Sequence, residues 1–485
     1  MNEALLGLEP AGIWKYFKEI LMIPRPSKHE EQIVAYLLSF AHAHQLDVKQ
    51  DKVGNVLISK PASPGFENRQ TVVMQSHIDM VCEKNSDKVH DFFKDPIDTF
   101  IEDGWVKAKG TTLGADDGIG VAAQLAILAD KTIQHGPLEC LFTIDEETGL
   151  SGAFGLEPGF VKGRILLNVD SEDEGELFIG CAGGKDTVVT LPFQKTAVPE
   201  GHQAYKLAIS GLTGGHSGDD IHKGRGNANK LLVRLLYKAT NEFGALLSQI
   251  EGGNLRNAIA REAQAIILLS AENAAKASAM LIAMGESLRG EFAITEPRLE
   301  INLTPWEGRV NMVVEAEDQH KLINSLYACP HGVMAYSQSI PGFVETSTNL
   351  ASVRMINDTF EITTSQRSSV ESAKADVVAM VAACFKLTGA TVKHSNGYPG
   401  WAPNPSSAIR DITETAYVKL FGNKPEVKAI HAGLECGLIG DVYSGMDMIS
   451  YGPTIKGAHS PDERLEIQSV TKFWDLTLEI LRQIP

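Results

Sequence analysis

Thr71-Val-Val-Met-Gln-Ser-His77 is a short, mostly apolar run of strand character that stops on an imidazole, and two later runs end in the same manner. Residues 138–144 run into Asp145-Glu146-Glu147, and residues 164–169 into Asp170-Ser171-Glu172. Three strands therefore end in an acid or a histidine. Between the first two, residues 118–130 have the pattern of a mostly buried helix. Upstream, residues 28–45 repeat apolar side chains near helical spacing, with Glu30 and Glu31 in the first turn, and residues 55–59 predict another strand. Alternating strands and helices predict an α/β sheet, whose ligands gather at the carboxyl ends of its strands.

The texture changes after Gly183-Gly184. Longer alternating stretches (205–210, 263–269 and 353–364) interleave with helical runs at 227–241 and 271–289, which predicts a separate α+β unit. Beyond about residue 392, a helix (406–421), a strand (446–450) and a last helix (467–484) can rejoin the first unit. The expected plan is a catalytic α/β domain made of residues 1–185 and 392–485, interrupted by an inserted domain over 186–391. A length of 485 residues suits two cores.

Composition narrows the function. Acidic residues number 61 against 44 basic ones, a net charge of −17 that repels phosphate backbones and anionic lipid. Nucleic acid and membrane are thus not expected as partners. No window offers about 18 consecutive apolar residues, and the N-terminus lacks the unbroken apolar core of a signal peptide, so a cytoplasmic location is expected. The six cysteines form no CxxC pair and read as reduced thiols.

A two-metal catalytic site needs imidazole and carboxylate ligands, one carboxylate able to bridge ions about 3.5–4 Å apart, and an open position for water. The strand ends supply that inventory. Asp79, two residues after His77, can accept the second ring N–H of a ligand histidine and fix its tautomer. Taken alone, each element has an ordinary reading. Asp116-Asp117, in a glycine-flanked turn before a helix, serves as readily as a helix cap. Glu146-Glu147 reads as a pair of solvated acids, Asp170 as the start of a turn, and His459 as part of a polar loop.

The order of the motifs carries more. H-x-D at His77, G-A-D-D-G at 114–118, D-E-E-T-G at 145–149, N-V-D-S-E at 168–172 and G-x-H-S-P-D-E at 457–463 stand in series with G-G-H-S-G at 214–218, R-N-A-I at 256–259, Y-P-G-W at 398–401 and H-A-G-L-E-C-G at 431–437. From about Trp14 onward the chain resembles the aminoacyl-histidine dipeptidases, di-zinc metallopeptidases of the family that includes aminoacylase, carboxypeptidase G and tripeptidase T.

That resemblance implies a mixed sheet with helices on both faces, and a middle domain that acts as a lid and carries homodimer contacts. His77 and Asp170 would hold one divalent metal, Glu147 and His459 the other, and Asp116 would bridge them, with a cis peptide following it. Glu146 would be the general base toward a water held between the metals, and Asp79 would support His77. Adjacent glutamates on an extended segment point to opposite sides unless the chain turns, which suits different roles for Glu146 and Glu147. His216 would reach the developing oxyanion, although its glycine-rich surroundings also suit a hairpin with a solvated histidine. Arg367 would clamp the substrate carboxylate, where the alternative is a surface ion pair. Asn257 and Glu435 are further substrate-binding candidates, Glu435 toward the substrate's amino end; Ala260 stands where the family often has proline.

The expected activity is hydrolysis of Xaa-His dipeptides, β-alanyl-histidine included, and of other unblocked dipeptides. Zinc suits the ligands best, and cobalt or manganese fits the same geometry. An amidohydrolase acting on N-acyl amino acids is the alternative. A serine-hydrolase reading of His216-Ser217 fails because no G-x-S-x-G elbow surrounds the serine.

Overall fold

The computed structural model describes residues 2–485, which divide into two compact units. The first takes in the chain up to Gly180 together with Pro403–Ala429 and Leu434–Pro485; the second takes in Cys181–Ala402 and Ile430–Gly433. The return to the first unit falls at Pro403, about ten residues later than the composition suggested. The reason is local: Thr391–His394 is a strand pairing antiparallel with Gly183–Pro192 in the second unit's sheet.

In the first unit an eight-stranded sheet runs in the order Asp47–Gln50, Val56–Lys60, Leu138–Thr143, Val72–His77, Ile165–Asn168, Asp447–Ser450, Glu176–Cys181 and Glu426–Ile430. Its central pairs, Leu138–Thr143 with Val72–His77, Val72–His77 with Ile165–Asn168, and Ile165–Asn168 with Asp447–Ser450, are all parallel. Strands in such a position lose water on both faces, which is why they are apolar without alternation. Val72 and Met74 join the large core shared with the helices Ala11–Leu21, Glu31–Ala43 and Ala115–Ala129. Val73 is equally buried on the opposite face, so close to Gly163 that a Cβ there would lie 2.7 Å from Val73 Cγ2. Because the central strands run the same way, the residues that follow His77, Thr143 and Asn168 emerge together at one edge.

In the second unit the main sheet is antiparallel, in the order Glu300–Pro305, His202–Ser210, Ala263–Ser270, Leu246–Gly252, Val344–Ile356, Thr359–Ser368, Gly183–Pro192 and Thr391–His394. The stretch read from sequence as one run over 353–364 is a hairpin instead. Asn357 takes a left-handed conformation at φ 54°, which asparagine tolerates better than most residues, and the chain reverses there. Helices Ala228–Phe243 and Ala274–Glu291 fall close to their expected spans. Helices Ala316–Ala328 and Glu371–Lys386 were not anticipated. The first of these buries only a narrow apolar stripe, Leu322, Ile323 and Leu326, within a polar sequence.

Candidate metal centre

His77 is the last residue of its strand and fully buried. Its Nε2 lies 2.9 Å from Asp116 Oδ1 and 3.5 Å from Asp170 Oδ1. Asp116, second in the segment Ala115–Ala129, has non-helical angles (φ −78°, ψ 115°), and its peptide bond to Asp117 is cis. Its other oxygen faces elsewhere: Asp116 Oδ2 lies 3.2 Å from His459 Nε2, which is itself 3.0 Å from Glu147 Oε2. One carboxylate thus faces two imidazoles. Coordinating atoms of His77, Asp116 and Asp170 all lie within 4.8 Å of one another, as do those of Asp116, Glu147 and His459, and those of His77, Glu146 and Glu147.

The acids after Thr143 do not continue the strand. Asp145 sits in the left-handed region (φ 49°) and the chain turns at once into the short helix Glu146–Gly149. Asp79 holds this turn. Its Oδ1 accepts the Glu146 N–H at 3.0 Å and its Oδ2 the Glu147 N–H at 3.2 Å, while the Ser27 hydroxyl donates to Oδ2 at 2.7 Å. Asp79 Oδ1 is also 3.3 Å from His77 Nδ1, although the angle there falls short of a formed hydrogen bond. A residue expected only to orient His77 therefore also places both glutamates.

Crowding of acids and imidazoles sets the electrostatics of the cluster. Burial opposes a charge on His77, yet Asp170, Asp116 and Asp79 together push its imidazole well above the ordinary value. Hydrogen bonds to Asp116 and Glu147 raise His459 to about 11. Burial pushes Asp170 up to about 7 and Glu146 well above the carboxylate range, with neighbouring carboxylates adding to both. Asp116 goes the other way: burial works against its charge, but hydrogen bonds from His459 and His77 hold it far below. These shifts favour protons amid the concentrated negative charge, and among the described residues Glu147 Oε1 is buried without a hydrogen-bond partner. A divalent cation displaces such protons and satisfies such an oxygen, so the donor set fits metal ions.

Glu435 lies beneath this edge of the sheet. It is fully buried at the start of helix Glu435–Val442, and its Oε2 accepts from Gln75 Nε2 at 2.6 Å and Thr143 Oγ1 at 2.7 Å. Asn168 extends the chain by donating to Gln75 Oε1 at 2.6 Å. Burial pushes Glu435 up to about 8.

The remaining sequence candidates lie in the second unit. Arg367, on strand Thr359–Ser368, is 7% exposed, and among the described residues it makes no ion pair with a carboxylate. Its Nη1 donates to Tyr398 Oη at 3.3 Å, its Nη2 lies 3.4 Å from His216 Nε2, and its Nε is buried with no hydrogen-bond partner among the described residues. A surface ion pair is therefore not what this arginine makes. His216 Nδ1 accepts from the Asp219 backbone N–H at 3.3 Å. The side chain of Asn257 is exposed, while its backbone carbonyl accepts from Ser217 N at 2.8 Å. His431, from the H-A-G-L-E motif, escaped notice as a site residue: it is buried, 2.7 Å from Ser347 Oγ, and burial with the nearby Arg367 charge pushes it down to about 3.

The model of Peptidase family M20/M25/M40 matches residues 73–483. The cytosol non-specific dipeptidase of Escherichia coli (strain K12) is 46% identical over 481 residues, 99% of each chain. The crystal structure of aminoacylhistidine dipeptidase from Vibrio alginolyticus matches with a TM-score of 0.94 at 46% identity, over 99% of this chain and 98% of that one. Aminopeptidase PepT from Bacillus cereus ATCC 10987 shares the fold at 16% identity, with a TM-score of 0.57 over 98% of this chain and 99% of that one. The chain belongs to peptidase family M20/M25/M40.

Proposed function

We propose that this chain is a metal-dependent dipeptidase that hydrolyses Xaa-His and other unblocked dipeptides. The observation that carries the reading is the division of Asp116, one oxygen toward His77 and the other toward His459, with Asp170 and Glu147 completing the two sides. The names of the two relatives at 46% identity, both dipeptidases, support the substrate class. In this assignment His77 and Asp170 would hold one ion, Glu147 and His459 would hold the other, and Asp116 would contribute to both. Imidazole with carboxylate suits zinc.

Two divalent ions in such a site polarise a carbonyl and lower the pKa of a water toward about 7. The chain's own residues do the rest. Glu146, whose proton affinity is raised by burial and by Asp170, Glu147 and Glu435, takes a proton from the attacking water and returns it to the leaving amine. Asp79 keeps Glu146 and Glu147 in one turn, so that base and ligand face the same space. Arg367 receives the substrate's terminal carboxylate, a fork meeting a planar anion, and His216 supports the developing oxyanion. Asn257 belongs to the same substrate surface, and Glu435, held by Gln75 and Thr143, supports the loop that receives the substrate's amino end.

The inserted unit serves as a lid and as the contact of a homodimer. Supporting the latter, Tyr237 and Tyr327 stack at 4.5 Å with both rings substantially exposed. A cytoplasmic location follows the relative named for the cytosol, and no described helix is long and apolar enough to cross a membrane.

Protein stripped with a chelator is expected to lose turnover of β-alanyl-histidine and regain it on addition of zinc, cobalt or manganese. Full activity after stripping would sink the proposal. Faster cleavage of N-acetylated amino acids than of free dipeptides would make the enzyme an amidohydrolase instead.

A further inference from the structure

The clustered ligands come from segments far apart in the chain, and two buried charged side chains outside the ligand set join those segments. The first is Glu463, only 2% exposed. Its Oε2 accepts from the backbone N–H of Leu113 at 2.7 Å and of Gly114 at 3.0 Å; its Oε1 accepts from Ala115 at 2.7 Å and Asp116 at 3.4 Å. Four successive N–H groups converge on one carboxylate, a concavity that backbone of mixed handedness provides. Gly114 supplies the required turn at φ 69°. A Cβ at that glycine would lie 2.6 Å from Arg25 Nη2, so bulk is excluded there as well.

Arg25 is the second side chain, also 2% exposed. Its Nη2 donates to Gly114 O at 2.5 Å, and its Nη1 donates to Ile78 O at 3.0 Å and Asp79 O at 2.6 Å. The turn carrying Asp116 is thus gripped twice. Arg25 ties its carbonyl to the end of the His77 strand, and Glu463 ties its N–H groups to the loop carrying His459.

The geometry points to Glu463 as a positioning residue for the metal centre: it locks the Asp116 turn to the His459 loop, keeping the two oxygens of Asp116 divided between His77 and His459. This rests on the metal-centre reading above. Glu463 makes no side-chain contact with the five proposed ligands in these bonds; it acts through the backbone that presents Asp116. Partners of ligands that fix orientation in this way typically change metal affinity about 10–100-fold when altered.

The discriminating variant is Glu463→Gln, which keeps one acceptor oxygen but turns an NH2 group on two of the four backbone donors. Metal-free wild type and variant are titrated calorimetrically with zinc alone and with cobalt alone, and the cobalt absorption spectrum, melting temperature, kcat and KM are recorded on the same preparations. The expected result is a weaker second metal equivalent, by about tenfold or more, with an altered cobalt spectrum, and a kcat that falls while KM stays within about threefold. Glu463→Asp, which retains both oxygens on a shorter arm, is expected to recover part of the affinity.

A Gln variant that binds two equivalents as tightly as wild type, with an unchanged spectrum, overturns the inference even if its melting temperature drops, because that is what a purely structural carboxylate would do. Should the Gln variant not fold, Glu463→Asp decides: a weakened second equivalent supports the positioning role, and wild-type binding overturns it. A wild-type protein that takes up no divalent ion defeats the metal-centre reading itself, an outcome distinct from two equal titrations.

Discussion

The acidic cluster at the strand ends of the first unit and the interior of the second treat histidine in opposite ways. In the first, carboxylates crowd His77 and His459 and hold both imidazoles far toward the protonated form. In the second, burial with Lys230 pushes His331 down to about 4, and burial with Arg367 pushes His431 down to about 3. The side chain is the same; the sign of its surroundings differs. One unit has assembled negative charge that calls for cations, and the other holds a buried guanidinium that calls for an anion.

The largest expected effect removes chemistry from the negative side while leaving its charge balance nearly intact. Glu146→Gln should still bind two equivalents of metal, because its side chain is not among the five proposed ligands. Its kcat should fall by about 10²–10⁴-fold, the usual share of a general base. Metal content by elemental analysis and steady-state kinetics on one preparation check this. Retained turnover would remove Glu146 as the base, and lost metal would make it a ligand.

The counterpart on the positive side is smaller and should appear in substrate recognition. Arg367→Lys keeps the charge but loses the planar fork, and a charge-assisted hydrogen bond is worth about 1.5–3 kcal/mol. kcat/KM for free dipeptides should drop by about 10–100-fold, whereas dipeptides amidated at the C-terminus should be cleaved equally by wild type and variant. Equal losses on both substrate forms would show that Arg367 does not read the carboxylate.

The contrast between the units also explains what the sequence could disclose. The clustering was readable because its members sit at strand ends, where parallel strands must deliver successive loops to one edge; that rule brings His77, Glu147 and Asp170 together, while the resemblance alone named them as ligands. The turn at Asp145 and the second duty of Asp79 were not readable, since both depend on which N–H groups approach a carboxylate after folding. Glu463 stands in the open in the motif G-x-H-S-P-D-E, yet its partners lie some 350 residues away and are backbone groups with no side-chain signature. Arg25 is hidden for the same reason. In the second unit the hairpin at Asn357 was lost inside a long alternating run, because alternation persists across a tight turn while the strand direction reverses.

The smallest effect concerns stability and tests the positive side without substrate. The buried His431 has a folded pKa of about 3, below the 6.5 of an exposed histidine. Above pH 6.5 the ring is neutral in both folded and unfolded chains and costs nothing. As pH falls below 6.5 the unfolded chain gains a proton that the fold refuses, so stability is lost progressively until about pH 3. At pH 5 this amounts to about 2 kcal/mol, from 1.36 kcal/mol per pH unit. His431→Gln, which keeps a polar group for Ser347 but cannot titrate, should therefore lose less stability than wild type between pH 7 and pH 5, as read from urea unfolding curves of the two proteins. Arg367→Gln should move the wild-type curve in the same direction by a smaller amount, since Arg367 comes second to burial in depressing His431. Parallel curves for wild type and His431→Gln would mean that the ring accepts its proton in the folded state, and the opposition between the two units would then be confined to Arg367.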